Sequence, residues 1–245
     1  MENMKKTSVF ASAAQKARIF AIFVAMLYEL LENLTFDKAQ ALLTEVGEKE
    51  VKKRFMEFLD IEIDPFTDIR TWWQNHYRLQ HNRELDLSQV QIPSKPDGDN
   101  WILLCIAKGL TPNKEFNSWT FPKRKVQDDL NALAHKNARD TTEAYFIWVR
   151  NGAEPDAEFL GKSINQADPD MKIGMTLLER LVLQSYAHRM GLVLDKNGFT
   201  FCSGSRDAGG NVPYVNLGND GTVYVNWYYA GNFYSTDGLR VAVSS

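Results

Sequence analysis

The chain has 245 residues, 44% of them hydrophobic and 24% charged, which is the balance of a globular protein with a substantial core. Its formal charge of −3 gives no overall attraction to nucleic acid or to an anionic membrane, so we expect neither as a partner. The only two cysteines, Cys105 and Cys202, each lie in an apolar run, and we expect two separate buried thiols rather than a disulfide framework.

The most apolar segment near the start of the chain is Ile19–Leu31. It is shorter than the roughly 20 apolar residues that span a bilayer, and it contains Glu29. No small-residue cleavage site closes it, as a secretory signal would require. The segment therefore predicts an amphipathic packing helix with no membrane span, and a cytoplasmic protein or one exported by an unrecognised route.

Residues 1–95 are expected to form an N-terminal helical region. Within it, Ile69, Trp72, Trp73 and His76 recur at the three- and four-residue spacing of a helix face. The breaker-rich stretch 92–99 that follows is either a domain linker or a long surface loop, and we favour the linker.

Residues 100–245 read as a second, α+β domain. The apolar runs 101–107 and 144–149 have strand length, and their continuity predicts strands buried on both faces. Residues 123–138 between them look helical, with the basic run Lys123–Lys125 on a solvated face. Further on, Thr176 and Glu179 have the spacing of a capping box, which predicts a helix that ends at Gly191.

The composition changes after Asn197, because no Lys or Glu occurs from there to Ser245 while Gly, Asn, Tyr and Ser are abundant. The turn sequence Asn219–Gly221 separates two alternating runs and predicts a β-hairpin. Alternation places Val215, Leu217, Val223, Val225 and Trp227 on one face of it, toward the core. A final strand is expected beyond the hairpin, with Leu239, Val241 and Val243 pointing inward.

The opposite face of the predicted hairpin carries only Tyr and Asn, at Tyr214, Asn216, Tyr224, Asn226 and Tyr228. Tyr gives a large rigid contact area, and Asn supplies adaptable hydrogen bonds, so such a face suits ligand recognition. An ordinary exposed sheet is the alternative, since Tyr is common in strands. The absence of Lys and Glu, which normally protect exposed strands, favours binding.

Signals for catalysis and metal binding are weaker. Cys202 with the Ser203–Ser205 turn could supply a nucleophile, but no His lies in this segment to act as its base. The four His residues have no ligand spacing with either Cys, so zinc is not expected.

The order of these features resembles the C-type-lectin-fold variable proteins of diversity-generating retroelements, in an archaeal branch. The resemblance covers roughly residues 100–245, and its motifs are loose. The residues that carry it are the capped helix from Thr176 to Met190, the Ser-Gly-Ser-Arg turn ending at Arg206, the aromatic hairpin, and the closing run Gly238–Val241. It implies a C-type-lectin-like domain with a twisted antiparallel sheet and flanking helices.

For function, the resemblance implies a receptor-like protein that binds a variable target, another protein above all, and that is not an enzyme. Its binding residues would be diversified through adenines of Asn codons. Twelve residues here belong to the set that such changes can reach: Asp207, Asn211, Tyr214, Asn216, Tyr224, Asn226, Tyr228, Tyr229, Asn232, Phe233, Tyr234 and Ser235.

Two other functions stay open. The closing Gly-Leu-Arg is similar to that of formylglycine-generating enzymes, which share the fold, so Cys202 could serve an enzyme. Their copper-binding cysteine pair has no counterpart here, and Val225–Trp227 is not a calcium-lectin motif, so no copper, calcium or other cofactor is expected. Alternatively, the N-terminal helices are an interaction module and the sheet only supports them.

Overall fold

The computed structural model describes residues 66–244. The chain divides into two compact units, Met1–Thr67 and Asp68–Ser245. The predicted helix Ile19–Leu31 and the other helices expected before residue 66 lie outside the described residues. No helix within residues 66–244 is long and apolar enough to cross a bilayer.

The second unit is an α+β assembly, as the sequence predicts. Its helices are short except for the first and the last. They are α1 (Thr67–His81, of which all but Thr67 is in this unit), α2 (Pro112–Ser118), α3 (Leu130–Leu133), a 3-10 helix (Ala157–Phe159), α4 (Ile164–Ala167) and α5 (Leu177–Arg189).

The strands form sheets that are antiparallel apart from two parallel pairs, β2 with β8 and β5 with β9. Within the described residues there are three sheets, ordered β1-β4-β10, β2-β8-β7-β5-β9 and β3-β6. The strands are β1 (Trp101–Ile106), β2 (Lys123–Lys125), β3 (Lys136–Asn137), β4 (Tyr145–Arg150), β5 (Thr200–Phe201), β6 (Ser205–Arg206), β7 (Val212–Leu217), β8 (Val223–Tyr228), β9 (Gly238–Leu239) and β10 (Ala242–Val243).

The paired strands β1 and β4 are buried along almost their whole length, which confirms the interpretation of the two apolar runs. Helix α1 is fixed against β1 by its own aromatic side chains. Trp73 Nε1 donates to the Leu103 carbonyl oxygen at 3.0 Å, and the Tyr77 hydroxyl donates to that of Cys105 at 2.7 Å. The helix predicted around the paired tryptophans is therefore confirmed, and it packs within the second unit.

The breaker-rich stretch 92–99 also lies within the second unit, so the preference for a linker was wrong and it is a surface loop. Trp148 Nε1 donates to the Pro93 carbonyl oxygen at 2.9 Å, and Trp101 Nε1 donates to that of Asp97 at 3.0 Å. These bonds from β1 and β4 satisfy loop carbonyls that the irregular backbone leaves unpaired.

The helix predicted over residues 123–138 was wrong. Only Leu130–Leu133 is helical, and Lys123–Lys125 forms strand β2, in register with Val223–Val225 of β8. Lys123 is not on a solvated face, because its Nζ donates to the carbonyl oxygens of Phe116 and Trp119 at 2.6 and 2.7 Å. Pairing with a distant strand has overridden the local preference.

Helix α5 begins with the predicted capping box. Thr176 Oγ1 accepts from the Glu179 amide at 3.2 Å, and the Glu179 carboxylate accepts from the Thr176 amide at 2.7 Å. The same carboxylate accepts a forked pair of bonds from Arg139, at 2.6 and 2.8 Å, and one from the Tyr145 hydroxyl. Glu179 is thus fully engaged in structure.

The single closing strand that the sequence predicts is instead two short strands in different sheets. Leu239 of β9 is buried as expected, but Val241 and Val243 are only partly buried. The fully buried side chain between the strands is Arg240, whose Nη2 donates to Asp195 Oδ1 at 2.6 Å. The chain changes sheet at Arg240, so a strict alternation does not continue through it.

Candidate ligand-binding surface

The hairpin is the central element of the site. Strands β7 and β8 pair from Val212 opposite Tyr228 to Leu217 opposite Val223, around a turn that contains Gly221 at φ +76°. The turn is fixed by the Gly218 amide donating to the Thr222 carbonyl at 2.9 Å, and by the Thr222 amide donating to Asp220 Oδ1 at 3.0 Å. The predicted hairpin is confirmed.

One face of the hairpin packs on the core beneath helix α5. Val215, Val223 and Val225 are buried there against Leu177 and Leu181. Leu217 and Trp227 are at the edges of this cluster and are only partly buried. The predicted inward face is therefore correct, although Trp227 is less buried than the alternation suggested.

The Tyr/Asn face is covered at one end, which was not expected. Tyr214 is only 9% exposed, and its ring stacks on Phe199 with centroids 4.5 Å apart and an angle of 6° between the planes. Phe201 and Leu239 lie in register beside Tyr214 and close the same end. The prediction that Tyr214 belongs to an exposed face was therefore wrong.

Four further residues of this face, Asn216, Tyr224, Asn226 and Tyr228, are partly buried. The Tyr224 hydroxyl donates to Asp220 Oδ2 at 3.3 Å, and Asn226 Oδ1 accepts from the Trp227 amide at 2.7 Å. These bonds hold both side chains close to the sheet. The face is a shallow, ordered polar surface rather than a row of freely exposed side chains.

Five predicted site residues lie in the loop that follows β8, and all are exposed: Tyr229, Asn232, Phe233, Tyr234 and Ser235. The large aromatics are the most prominent, at 61% for Tyr229 and 54% for both Phe233 and Tyr234. The Tyr228 hydroxyl donates to that of Tyr234 at 2.7 Å, which joins the loop to the hairpin.

Asp207 and Asn211 form a compact loop ahead of β7. Asp207 Oδ1 accepts from the amides of Gly209 and Asn211, both at 2.8 Å, and Asn211 Nδ2 donates to Asp207 Oδ2 at 2.8 Å. Because Val212 pairs with Tyr228, this loop lies at the same end of the hairpin as Tyr229. Asn216 and Tyr224 lie at the other end, next to the turn.

Two residues of this region were missed by the sequence analysis. Arg124 of β2 is in register with Tyr224, so it adds an exposed guanidinium beside the Tyr/Asn face. Asp237, just after the aromatic loop in sequence, is buried, and its Oδ2 has no hydrogen-bond partner among the described residues. The position of Arg124 depends on the pairing of β2 with a distant strand, so the local sequence could not predict it. Asp237 could have been noticed, because it is an acidic residue directly after an aromatic loop.

The residues considered for catalysis have structural partners. Cys202 is fully buried, and burial raises the pKa of its thiol. Ser203 Oγ donates to Asp168 Oδ2 at 2.7 Å, and Ser205 Oγ donates to Asn137 Oδ1 at 2.6 Å while accepting from the Leu177 amide at 2.9 Å. Among residues 66–244, no three His, Cys, Asp or Glu side chains are grouped so that they could hold a metal ion.

Comparison of the chain with models of protein families, with curated proteins and with solved structures gives no match in any of the three.

Proposed function

We propose that the chain is a receptor-like ligand-binding protein and that the surface around the hairpin recognises a variable target, most favourably another protein. The observation that carries this proposal is the exposed aromatic loop, with Tyr229, Phe233 and Tyr234 each more than half exposed beside an ordered hairpin. Large aromatic side chains that stand in water this close together in sequence provide the apolar contact area that interaction sites use.

The chemistry of the surface suits protein recognition. Aromatic rings with few torsions lose little entropy when a partner immobilises them, and they give large contact areas. Asn232 and Ser235 lie between them in sequence and supply donors and acceptors. The scaffold is held by a buried core on the other face of the hairpin, so the loop can vary without loss of the fold.

We further propose that the chain is a C-type-lectin-fold variable protein of a diversity-generating retroelement. In support, the motifs behind this resemblance are bonded to one another. The Ser205 hydroxyl holds the first amide of helix α5, at Leu177, and Asp195 joins Arg180 of that helix to Arg240 of the closing run. Motifs that lie far apart in sequence thus form one assembly beneath the hairpin.

An enzyme that uses Cys202 is less well supported. The thiol is buried and its pKa is raised, whereas a nucleophilic cysteine needs an accessible thiolate.

Two experiments test the proposal. The first is the sequence of the flanking DNA, where we expect a reverse transcriptase gene and a near-copy of the 3′ end that differs at adenines. Flanking DNA with neither would count against the family, without bearing on binding as such.

The second experiment tests the surface directly with a phage-displayed library of random linear peptides. We expect the wild-type protein to enrich peptides, and the triple variant Tyr229→Ser, Phe233→Ser, Tyr234→Ser to enrich none while it stays folded. A matched control replaces three exposed apolar residues elsewhere, Met190, Leu192 and Val193, by Ser. If the control variant loses peptide enrichment as completely as the loop variant does, the proposed site is contradicted.

A further inference from the structure

Three tyrosines of the candidate surface are in ring contact, and the backbone amide of Asp237 bonds to the last of them; Tyr214, Tyr228, Tyr234 and Asp237 are here called the tyrosine–aspartate cluster. The ring centroids of Tyr214 and Tyr228 are 6.3 Å apart at 78°, and those of Tyr228 and Tyr234 are 5.8 Å apart at 47°. The plane of the Tyr228 ring is therefore steeply inclined to those of the other two rings. Tyr228 is partly exposed and Tyr234 is exposed, whereas Tyr214 and Asp237 are buried.

Asp237 is held in place by its backbone. Its amide donates to the Tyr234 carbonyl oxygen at 3.1 Å, and its own carbonyl oxygen accepts from the Gly161 amide at 3.0 Å. The residue is 1% exposed, and it forms no ion pair with any described residue. Oδ1 accepts from the Thr236 hydroxyl at 3.4 Å, and the Phe199 amide lies near the carboxylate, but Oδ2 itself makes no hydrogen bond with a described residue.

The carboxylate acts on the tyrosine rings. The pKa of Tyr228 is raised by its hydrogen bond with Tyr234 and, among smaller causes, by the charge of Asp237. The pKa of Tyr214 is raised by burial and also by Asp237. Burial raises the pKa of Asp237 itself, although the Phe199 amide and the Thr236 hydroxyl lower it. The charge of Asp237 is thus one of the causes that raise the pKa of both tyrosine hydroxyls.

A buried carboxylate without a counter-charge is expensive to hold, and it gains most from a cation brought close in a medium of low dielectric. Aromatic faces also attract cations, with Arg and Lys the usual groups in proteins. A phosphate or carboxylate ligand could accept from the tyrosine hydroxyls, but the charge of Asp237 would repel it. The cluster is thus selective for positive charge.

We propose that this surface binds a Lys or Arg side chain of the protein target, laid against the rings of Tyr228 and Tyr234 with Asp237 as its counter-charge. The inference rests on the proposed function and specifies its partner. A protein side chain is favoured over a small free amine because Tyr229 and Phe233, each next in sequence to a tyrosine of the cluster, are more than half exposed and offer apolar surface to the residues around the basic one.

The test compares peptides selected from the random library by wild-type protein and by Asp237→Asn. This variant keeps the shape of the side chain and removes only its charge. We expect Lys and Arg to be enriched in the wild-type pool and not in the variant pool. The matched control is Asp170→Asn, at an exposed aspartate paired with Lys172, and its pool should resemble the wild-type pool.

A second measurement leaves the protein unaltered. The basic residue of a peptide selected by wild-type protein is replaced by acetyl-lysine, and we expect its affinity to fall about tenfold, the effect of a desolvated cation on an aromatic site. The same peptide should bind Asp237→Asn about tenfold more weakly than wild type.

The outcomes separate the two proposals. Peptides that need Tyr229, Phe233 and Tyr234 but carry no excess of Lys or Arg would overturn the cation site and leave the proposed function standing. A basic bias that survives Asp237→Asn unchanged, or is lost equally in Asp170→Asn, would also overturn it. Failure of the wild-type protein to enrich any peptide counts against both.

Discussion

Arg240 and Asp195 form a fully buried ion pair, with Nη2 2.6 Å from Oδ1. The other carboxylate oxygen accepts from Arg180 Nε and Nη2 at 3.1 and 2.7 Å, so one aspartate serves two guanidinium groups. Burial acts to raise the pKa of Asp195, but the charges of Arg180 and Arg240 outweigh it and hold the pKa below its usual range. This network ties the segment between β9 and β10 to helix α5, beneath the candidate surface.

The first prediction is that Asp195→Asn destabilises the protein by about 3–5 kcal/mol, because it leaves two buried guanidinium groups without a counter-charge. The free energy of unfolding in urea measures the effect. The exposed pair of Asp170 and Lys172 provides the control, since Asp170→Asn should change stability by less than about 0.5 kcal/mol.

The difference in stability between wild type and Asp195→Asn should also depend on pH. Because the folded-state pKa of Asp195 is lowered, its contribution is complete above the unfolded pKa, at about 4, and is lost as the pH falls through the folded pKa. The stability difference between wild type and Asp195→Asn should therefore shrink below about pH 4. A difference that stays constant into strong acid would mean that the carboxylate charge does not hold this network together.

The hairpin shows how much of the site the sequence could predict. A period of two fixes which side chains share a face, and the Asn-Asp-Gly turn indicates where the chain reverses, so Val225 and Tyr224 could be assigned to opposite faces correctly. The same pattern could not reveal that Phe199, from a segment outside the hairpin, covers Tyr214. Alternation predicts a face, but what packs on that face depends on distant residues.

Other features depend on pairing between distant segments. Lys123–Lys125 has no strand preference of its own and becomes a strand only because β8 offers it a free edge. Arg240 interrupts an apolar run, and its role depends on Asp195, 45 positions earlier. By contrast, the capping box of α5 was predictable because its partners, Thr176 and Glu179, are three residues apart.

A second prediction concerns the two sides of the hairpin and its loop. Val225→Ala should lower stability by on the order of 2 kcal/mol, because it opens a cavity in the buried cluster. Trp227→Ala should cost less than the roughly 3–5 kcal/mol of a fully buried aromatic, since Trp227 is only partly buried. Phe233→Ser should stay within about 0.5 kcal/mol of wild type. Thermal and urea unfolding measure all three, and a strongly destabilised Phe233→Ser would refute the exposed position of the loop.

A third prediction concerns the thiols. Cys105 and Cys202 are buried, and burial raises the pKa of both, so neither should form the reactive thiolate at neutral pH. Iodoacetamide should leave the folded protein unmodified and alkylate both residues after denaturation in guanidinium chloride, as mass spectrometry would report. Rapid labelling of Cys202 in the folded protein would instead support the hypothesis of an enzyme that uses this thiol.

The last prediction starts from His76, a buried residue of helix α1 that stacks on Trp72 with ring centroids 5.3 Å apart. Burial lowers its pKa to about 4, opposed by the charge of Glu115 and reinforced by those of Arg189 and His81. Its Nε2 has no hydrogen-bond partner among the described residues. The folded protein therefore favours the neutral ring.

Since the folded pKa is below the unfolded value of about 6.5, the unfolded state binds the additional proton first. The stability that the neutral ring contributes is complete above about pH 6.5 and is lost as the pH falls from there toward 4. His76→Phe keeps an aromatic ring against Trp72 and removes the titration. Between pH 7 and pH 4 the wild-type protein should therefore lose on the order of 3 kcal/mol more stability than His76→Phe, measured by urea unfolding. Acidic groups common to both proteins cancel in this comparison. A nuclear magnetic resonance titration of the His76 ring with a midpoint near 6.5, or parallel stability profiles for the two proteins, would contradict the prediction.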